Sequence, residues 1–170
     1  MVANRFQIFI RVLGISAWAL GLPVMAGELK WQTEPLRDTS SAQSPPVQQI
    51  DDLLLKMLAC WNAHDIAGNL NAYWNSPQLL VVVNSEQFNG WQQLHDSYFS
   101  GYSNRAAMGF IQPKRIQIRL LKPDLALALT WWSISFPNSK RVVEANSTMN
   151  IQKFDEGWKI VASHTSSAEL

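Results

Sequence analysis

The sequence predicts an α+β protein, helices first and then a run of hairpin-linked strands in an antiparallel sheet. Two observations carry that reading. Ile50, Leu53, Leu54, Met57, Leu58 and Trp61 recur at i, i+3, i+4, i+7, i+8 and i+11, a continuous helical stripe. From Phe110 onward the period drops to two, with turn signals at Lys122-Pro123-Asp124, Pro137-Asn138-Ser139-Lys140 and Asp155-Glu156-Gly157. In the last of these strands, Trp158, Ile160, Ala162, His164 and Ser166 share one face, and Lys159, Val161, Ser163 and Thr165 share the other. The helices are expected to cover the Trp158 face and to leave a pocket near His164.

Composition limits the function classes. The chain has 170 residues, 47% of them hydrophobic and 16% charged, with a formal charge of +1. Such balance argues against a nucleic-acid partner, which needs a clustered basic surface. Lys114, Arg115 and Arg119 interleave with Ile116 and Ile118 and read as the solvated face of a strand. At the N-terminus, Arg5 and Arg11 precede an apolar run from Val12 to Leu22, and Val24-Met25-Ala26 before Gly27 fits a signal-peptidase site. The run is shorter than a membrane-spanning helix needs. Residues 1–26 are therefore expected to be a signal peptide cleaved near Ala26-Gly27, exporting the protein to the periplasm or medium without stable membrane insertion. Loss of Arg5 and Arg11 from a chain of charge +1 leaves −1. The sole cysteine, Cys60, lies on an apolar helix and reads as packing.

Taken in order, residues 27–46 are rich in Ser, Gln, Thr, Pro and Glu and read as a flexible linker; 47–170 form the folded domain. Ser44-Pro45-Pro46 opens the first helix, with Ser available as a cap and Pro suited to the first turn. That helix ends at Asn62-Ala63-His64. Asp65 caps a second helix carrying Ile66, Leu70 and Tyr73, stopped by Asn75-Ser76-Pro77; a catalytic acid is the other use of such an Asp. Leu79 to Val83 is a short apolar strand, and Ser85 to Gly90 a turn region. A third helix runs from Trp91 to Tyr102, and Ser103 to Gly109 is a loop. Strands then follow: Ile116, Ile118 and Leu120 alternate with Arg115, Gln117 and Arg119; Leu125 to Phe136 is apolar on both faces; Val143, Ala145, Ser147, Met149 and Ile151 alternate with Glu144, Asn146, Thr148, Asn150 and Gln152.

Trp61-Asn62-Ala63-His64-Asp65-Ile66 with Tyr73, Gly90 before a helix, the strand Asp124-Leu125-Ala126-Leu127-Ala128, and the terminal Gly157-Trp158-Lys159-Ile160-Val161 with His164 and Ser166 resemble the SnoaL-like branch of the nuclear transport factor 2-like superfamily. The likeness spans about Val47 to Ser166. It implies a cone-shaped α+β barrel, in which three N-terminal helices pack in the concave face of a strongly bent antiparallel sheet around an internal cavity, as in ketosteroid isomerase. It also implies a homodimer through the sheet. Two departures stand out. Met57 occupies the place of the isomerases' oxyanion tyrosine and cannot donate a hydrogen bond. Leu80-Val81-Val82-Val83-Asn84 lacks their general-base carboxylate.

His64, His95 and His164 are the only histidines, and no pair has recognisable metal-ligand spacing, so neither a metal nor a cofactor is expected. His164 has two readings: a catalytic base or ligand contact, or a core histidine bonded to a carbonyl or to a first-helix side chain. Adjacent Trp131 and Trp132 must face opposite ways, one inward and one as a dimer anchor. Tyr73, Asn84, Tyr98, Trp132, Asn146, Trp158 and His164 are the expected ligand-binding set, an aromatic pocket for a small apolar or cyclic molecule. Three functions follow. First comes an exported small-molecule-binding domain. Second is an isomerase, dehydratase or cyclase with His164 as base and Asn146 or Tyr98 as polariser. Third is a dimerising association module with a vestigial cavity.

Overall fold

A computed structural model describes residues 44–136 and 139–169. The chain divides into Met1–Glu34 and Pro35–Leu170, and the described residues belong to the second unit. The expected signal peptide and nearly all of the expected linker lie outside the described residues.

Helix α1, Pro45–Asn62, buries Val47, Ile50, Leu54, Met57, Leu58 and Trp61, the stripe legible in the sequence except that Leu53 is only half-buried and Val47 joins it. Each such side chain contributes about 1.5–3 kcal/mol when fully buried. Ser44 occupies the N-cap, but its side chain makes no cap bond. The prolines of the first turn lack N–H groups, so less remains there to cap. Asp65 caps α2, Ile66–Leu70, by accepting from the Gly68 N–H at 2.8 Å. Buried Asn69 donates to the Met57 carbonyl at 2.9 Å and fastens α2 to α1.

Helix α2 is shorter than its apolar spacing predicts. Past Asn71 the chain leaves the helix and runs beside the last strand: Ile160 N–H donates to the Ala72 carbonyl, and Trp74 N–H to the Ile160 carbonyl. Tyr73 thereby forms a parallel bridge with Ile160. Beyond it come β1 (Leu80–Val83), β2 (Glu86–Asn89), α3 (Trp91–Gly101), the single turn α4 (Arg105–Met108), β3 (Phe110–Lys122), β4 (Leu125–Ser135), β5 (Val142–Phe154) and β6 (Gly157–Glu169). Strand β2 lies where a turn was expected, and α4 where a loop was. The β1–β2 reversal is made by Asn84-Ser85, with Asn84 at φ +54°, a left-handed conformation asparagine tolerates.

The sheet order is β2-β1-β6-β5-β4-β3. It corrects the expected antiparallel barrel in two respects. β1 and β6 pair in parallel, because no hairpin joins them to impose a direction. The sheet is also open, with β2 and β3 at its edges. β6 pairs along nearly its whole length with β5 and also receives β1, so the terminal strand is central. Helix α1 lies across the inner face, in one core with Ala126, Ala128 and Trp132 of β4, Ala145, Met149 and Ile151 of β5, and Trp158 and Ile160 of β6.

Three extra residues break the strand registers, Lys114 and Leu121 in β3 and Val161 in β6. Each bends its strand and offsets the alternation beyond it. The last one positions the site.

Candidate functional site: a belt of neutral hydroxyls

Ile151 pairs with Ile160, and Asn150 with Ala162, so Val161 is the unmatched residue of a bulge. Up to Ile160 the even positions face the core, as Trp158 and Ile160 do, both buried. Past the bulge the odd positions do. Ser163 is buried, and the Thr165 hydroxyl meets the buried Ser147 hydroxyl at 2.8 Å. His164, between them, lies on the outer face beside Thr148 and Val82 and is exposed. The expected inward imidazole is thus corrected: a period-two reading carried Trp158's face unbroken to His164, and one inserted residue reverses it.

The inner face instead receives hydroxyls. Tyr73, buried and bridged through its backbone to Ile160, has its hydroxyl close enough to those of Tyr98 on α3 and Ser163 on β6 for both to act on its ionisation. Beside this trio, Ser147 accepts from the Trp132 indole N–H at 3.1 Å, while Thr130 donates to the Ser147 carbonyl at 3.4 Å. Trp61, Tyr98 and Tyr102 form a three-ring cluster with centroids 4.8 to 6.1 Å apart and interplanar angles of 75 to 87°. Edge contacts of this kind add about 0.5–1.5 kcal/mol each.

The phenols are held neutral. Burial pushes the Tyr73 hydroxyl up from its ordinary range, and the Tyr98 and Ser163 hydroxyls pull it partly back. Tyr98 is raised well above the ordinary value, mainly by burial and further by its two phenol neighbours. Tyr102 is raised by burial and by the negative charge of Glu86. Tyr98 and Tyr102 are half-buried residues, so this cluster lies near a boundary with solvent.

The remaining expected site residues separate. Trp158 is buried, but its indole donates to Gln49 at 3.1 Å, near the N-terminal end of α1. Asn84 is exposed and clamps Ser167, accepting from its N–H at 2.9 Å and donating to its hydroxyl at 3.0 Å, so it holds the β1–β2 turn to β6. Asn146 is exposed on the outer face, opposite Trp131 and Ser166. Strand β5 alternates without interruption there, which puts Asn146 on the face opposite Ala145 and Ser147 and corrects its expected place in the pocket.

His64 is half-buried at φ +63°, just past the end of α1. His95 stacks between Trp91 and Phe99, its Nδ1 3.0 Å from Asp96. Burial, and then Asp65, raise the Cys60 thiol, which disfavours a reactive thiolate. Among the described residues no acid, base or histidine is buried and no cluster of three metal-ligating side chains occurs; no helix is long and apolar enough to cross a membrane. Sequence reasoning missed Ser147, Ser163 and Thr165. The inward aim of Ser163 and Thr165 depends on the bulge and leaves no signal in residue type, whereas Ser147 shares the face of Ala145 and Met149 in an unbroken alternation that could have found it.

No family model matches the chain, and neither does any curated protein. Solved structures do. An NTF-2 like protein of unknown function from Shewanella oneidensis is 24% identical, with a TM-score of 0.66 over 71% of this chain and 98% of its own. An NTF2-like protein of unknown function from Pseudomonas putida is 16% identical, at 0.60 over 70% and 84%. A provisionally assigned scytalone dehydratase from Novosphingobium aromaticivorans is 9% identical, at 0.60 over 71% and 83%. The order of elements, the open mixed sheet and these superpositions together give the chain the nuclear transport factor 2-like fold.

Proposed function

We propose that this is an exported domain that binds an uncharged, apolar, ring-bearing small molecule on its hydroxyl-lined inner face, without catalysis. The observation that carries the reading is chemical. The inward hydroxyls are Tyr73, Tyr98, Tyr102, Thr130, Ser147, Ser163 and Thr165, all neutral near pH 7; His164 is on the other face, and the carboxylate whose charge reaches them, Glu86, is exposed. Hydroxyls orient a neutral oxygen-bearing ligand through hydrogen bonds, and aromatic walls supply apolar area. Proton abstraction needs a base within reach, and phenols with raised pKa values serve as donors instead. A dehydratase reading, suggested by one structural neighbour, would have to run on these hydroxyls alone.

Export rests on residues 1–26, whose basic start, apolar run and small-residue site suit a signal peptide. The mature protein pairs with a second copy through the outer sheet face. Support comes from Leu127, Leu129 and Trp131, which form a half-exposed strip along β4 beside Gln117 and Arg115, the latter guanidinium 4.9 Å over the Trp131 ring.

The uncharged probe N-phenyl-1-naphthylamine tests the site. Its fluorescence should rise on binding and fall sharply for Tyr98→Ala, whereas His164→Ala should change affinity less than about twofold. A loss of binding confined to His164→Ala would sink the assignment. Native mass spectrometry of protein from its own host would show the retained molecule.

A further inference from the structure

We propose that the indole N–H of Trp61 is the specificity-setting donor of the inner face, and that it selects ligands carrying a carbonyl oxygen on an apolar ring system. This rests on the binding reading above and names the chemistry it recognises.

The indole N–H can only donate. The fold gives acceptors to three of its other indoles: Trp132 donates to the Ser147 hydroxyl, Trp158 to the Gln49 amide oxygen and Trp91 to the Leu70 carbonyl. Trp61 is 7% exposed, and its Nε1 is buried with no hydrogen-bond partner. An orphaned buried donor costs free energy that native proteins rarely leave uncompensated. Among the described residues two other buried nitrogens lack partners, His64 Nε2 and Arg115 Nε, but both belong to side chains only partly buried. Trp61 is the one of the three whose whole side chain is buried.

Its surroundings describe the missing acceptor. The Tyr102 and Tyr98 rings stand at 75° and 79° to the indole, with centroids 4.8 and 6.1 Å away, and wall the donor with apolar surface. Tyr98 brings this wall up to the Tyr73 hydroxyl, which also feels Ser163. Glu86 places negative charge near Tyr102, which disfavours an anionic acceptor such as a carboxylate. A neutral oxygen remains, and among neutral oxygens a carbonyl accepts without bringing a donor of its own.

The test uses two nearly isosteric naphthalenes, 2-acetylnaphthalene with a carbonyl and 2-isopropenylnaphthalene without one. Protein carrying ¹⁵N-labelled tryptophan reports each indole, with Trp61 assigned by contacts to the Tyr98 and Tyr102 rings and by Trp61→Phe. The ketone should move the Trp61 indole proton downfield and bind Trp61→Phe about five- to tenfold more weakly, near the strength of one net hydrogen bond. The hydrocarbon should bind both forms alike and leave that proton in place. If the ketone binds while the Trp61 resonance stays put, or both probes weaken equally in Trp61→Phe, the inference is overturned and the binding function stands. An upfield proton indifferent to the ketone overturns it too, because the N–H then rests on the Tyr102 ring face. If neither probe binds wild-type protein, the function proposed above falls with it. The wild-type resonance decides the matter even if Trp61→Phe does not fold.

Discussion

Tyr73, Tyr98 and Tyr102 are the only tyrosines in the chain, and all three share one enclosed cluster with raised pKa values. That makes the site visible to a simple titration. An unfolded chain ionises its tyrosines near pH 10, whereas the folded protein keeps them protonated beyond it. The stability gained by keeping these phenols neutral is fully present below about pH 10 and is lost as pH climbs towards the folded values. Tyrosinate absorbance near 295 nm should therefore stay flat through pH 10 and rise only together with loss of circular dichroism. An ordinary titration near pH 10 in still-folded protein would contradict the enclosure. At this scale the sequence revealed residue types and concealed their aim. Tyr73, Tyr98 and Trp132 were nameable as inward residues because aromatic side chains must be buried somewhere. His164 and Asn146 were misplaced because polar residues on a sheet carry no mark of which face they take.

Among the elements, local pattern was a good guide wherever it extended over several turns or pleats. The stripe of α1 and the alternation of β5 emerge as written in the sequence. Short pieces were not legible: β2, with the four residues Glu86–Asn89, was indistinguishable from a turn, and α4 from a loop. Helix α2 was over-extended because Tyr73 keeps helical spacing with Ile66 and Leu70 while a long-range bridge to Ile160 claims its backbone. The start of α3 rests on a special residue that was legible. Gly90 sits at φ +87°, and a Cβ there would come within 3.2 Å of the Pro77 Cα. Its N–H also donates to the Leu79 carbonyl at 2.7 Å. Gly90→Ala should cost about 1–3 kcal/mol through backbone strain and crowding. A lower urea midpoint at unchanged slope is the expected readout; an unchanged midpoint would mean that this turn relaxes freely.

For the molecule as a whole, the two faces of the sheet differ in what they present. The inner face holds α1, the core and the hydroxyl belt, while the outer face carries the Leu127, Leu129 and Trp131 strip. Trp131→Glu should convert a dimer into a monomer in sedimentation, with little effect on N-phenyl-1-naphthylamine affinity, because Trp132 faces the other way and keeps its bond to Ser147. Unchanged assembly would remove the outer face from consideration. Alternation alone fixed this division in the sequence, since two neighbouring tryptophans on one strand cannot share a side.

Val161 has a consequence beyond geometry. Genetic loss of that single codon would exchange the two halves of the C-terminal tail, swapping Ser163 and Thr165 for the imidazole of His164 without altering one side chain. An inner face of neutral hydroxyls and one carrying a proton acceptor thus stand one deletion apart, and the chemistry open to this face is set by a count of residues as much as by their identity.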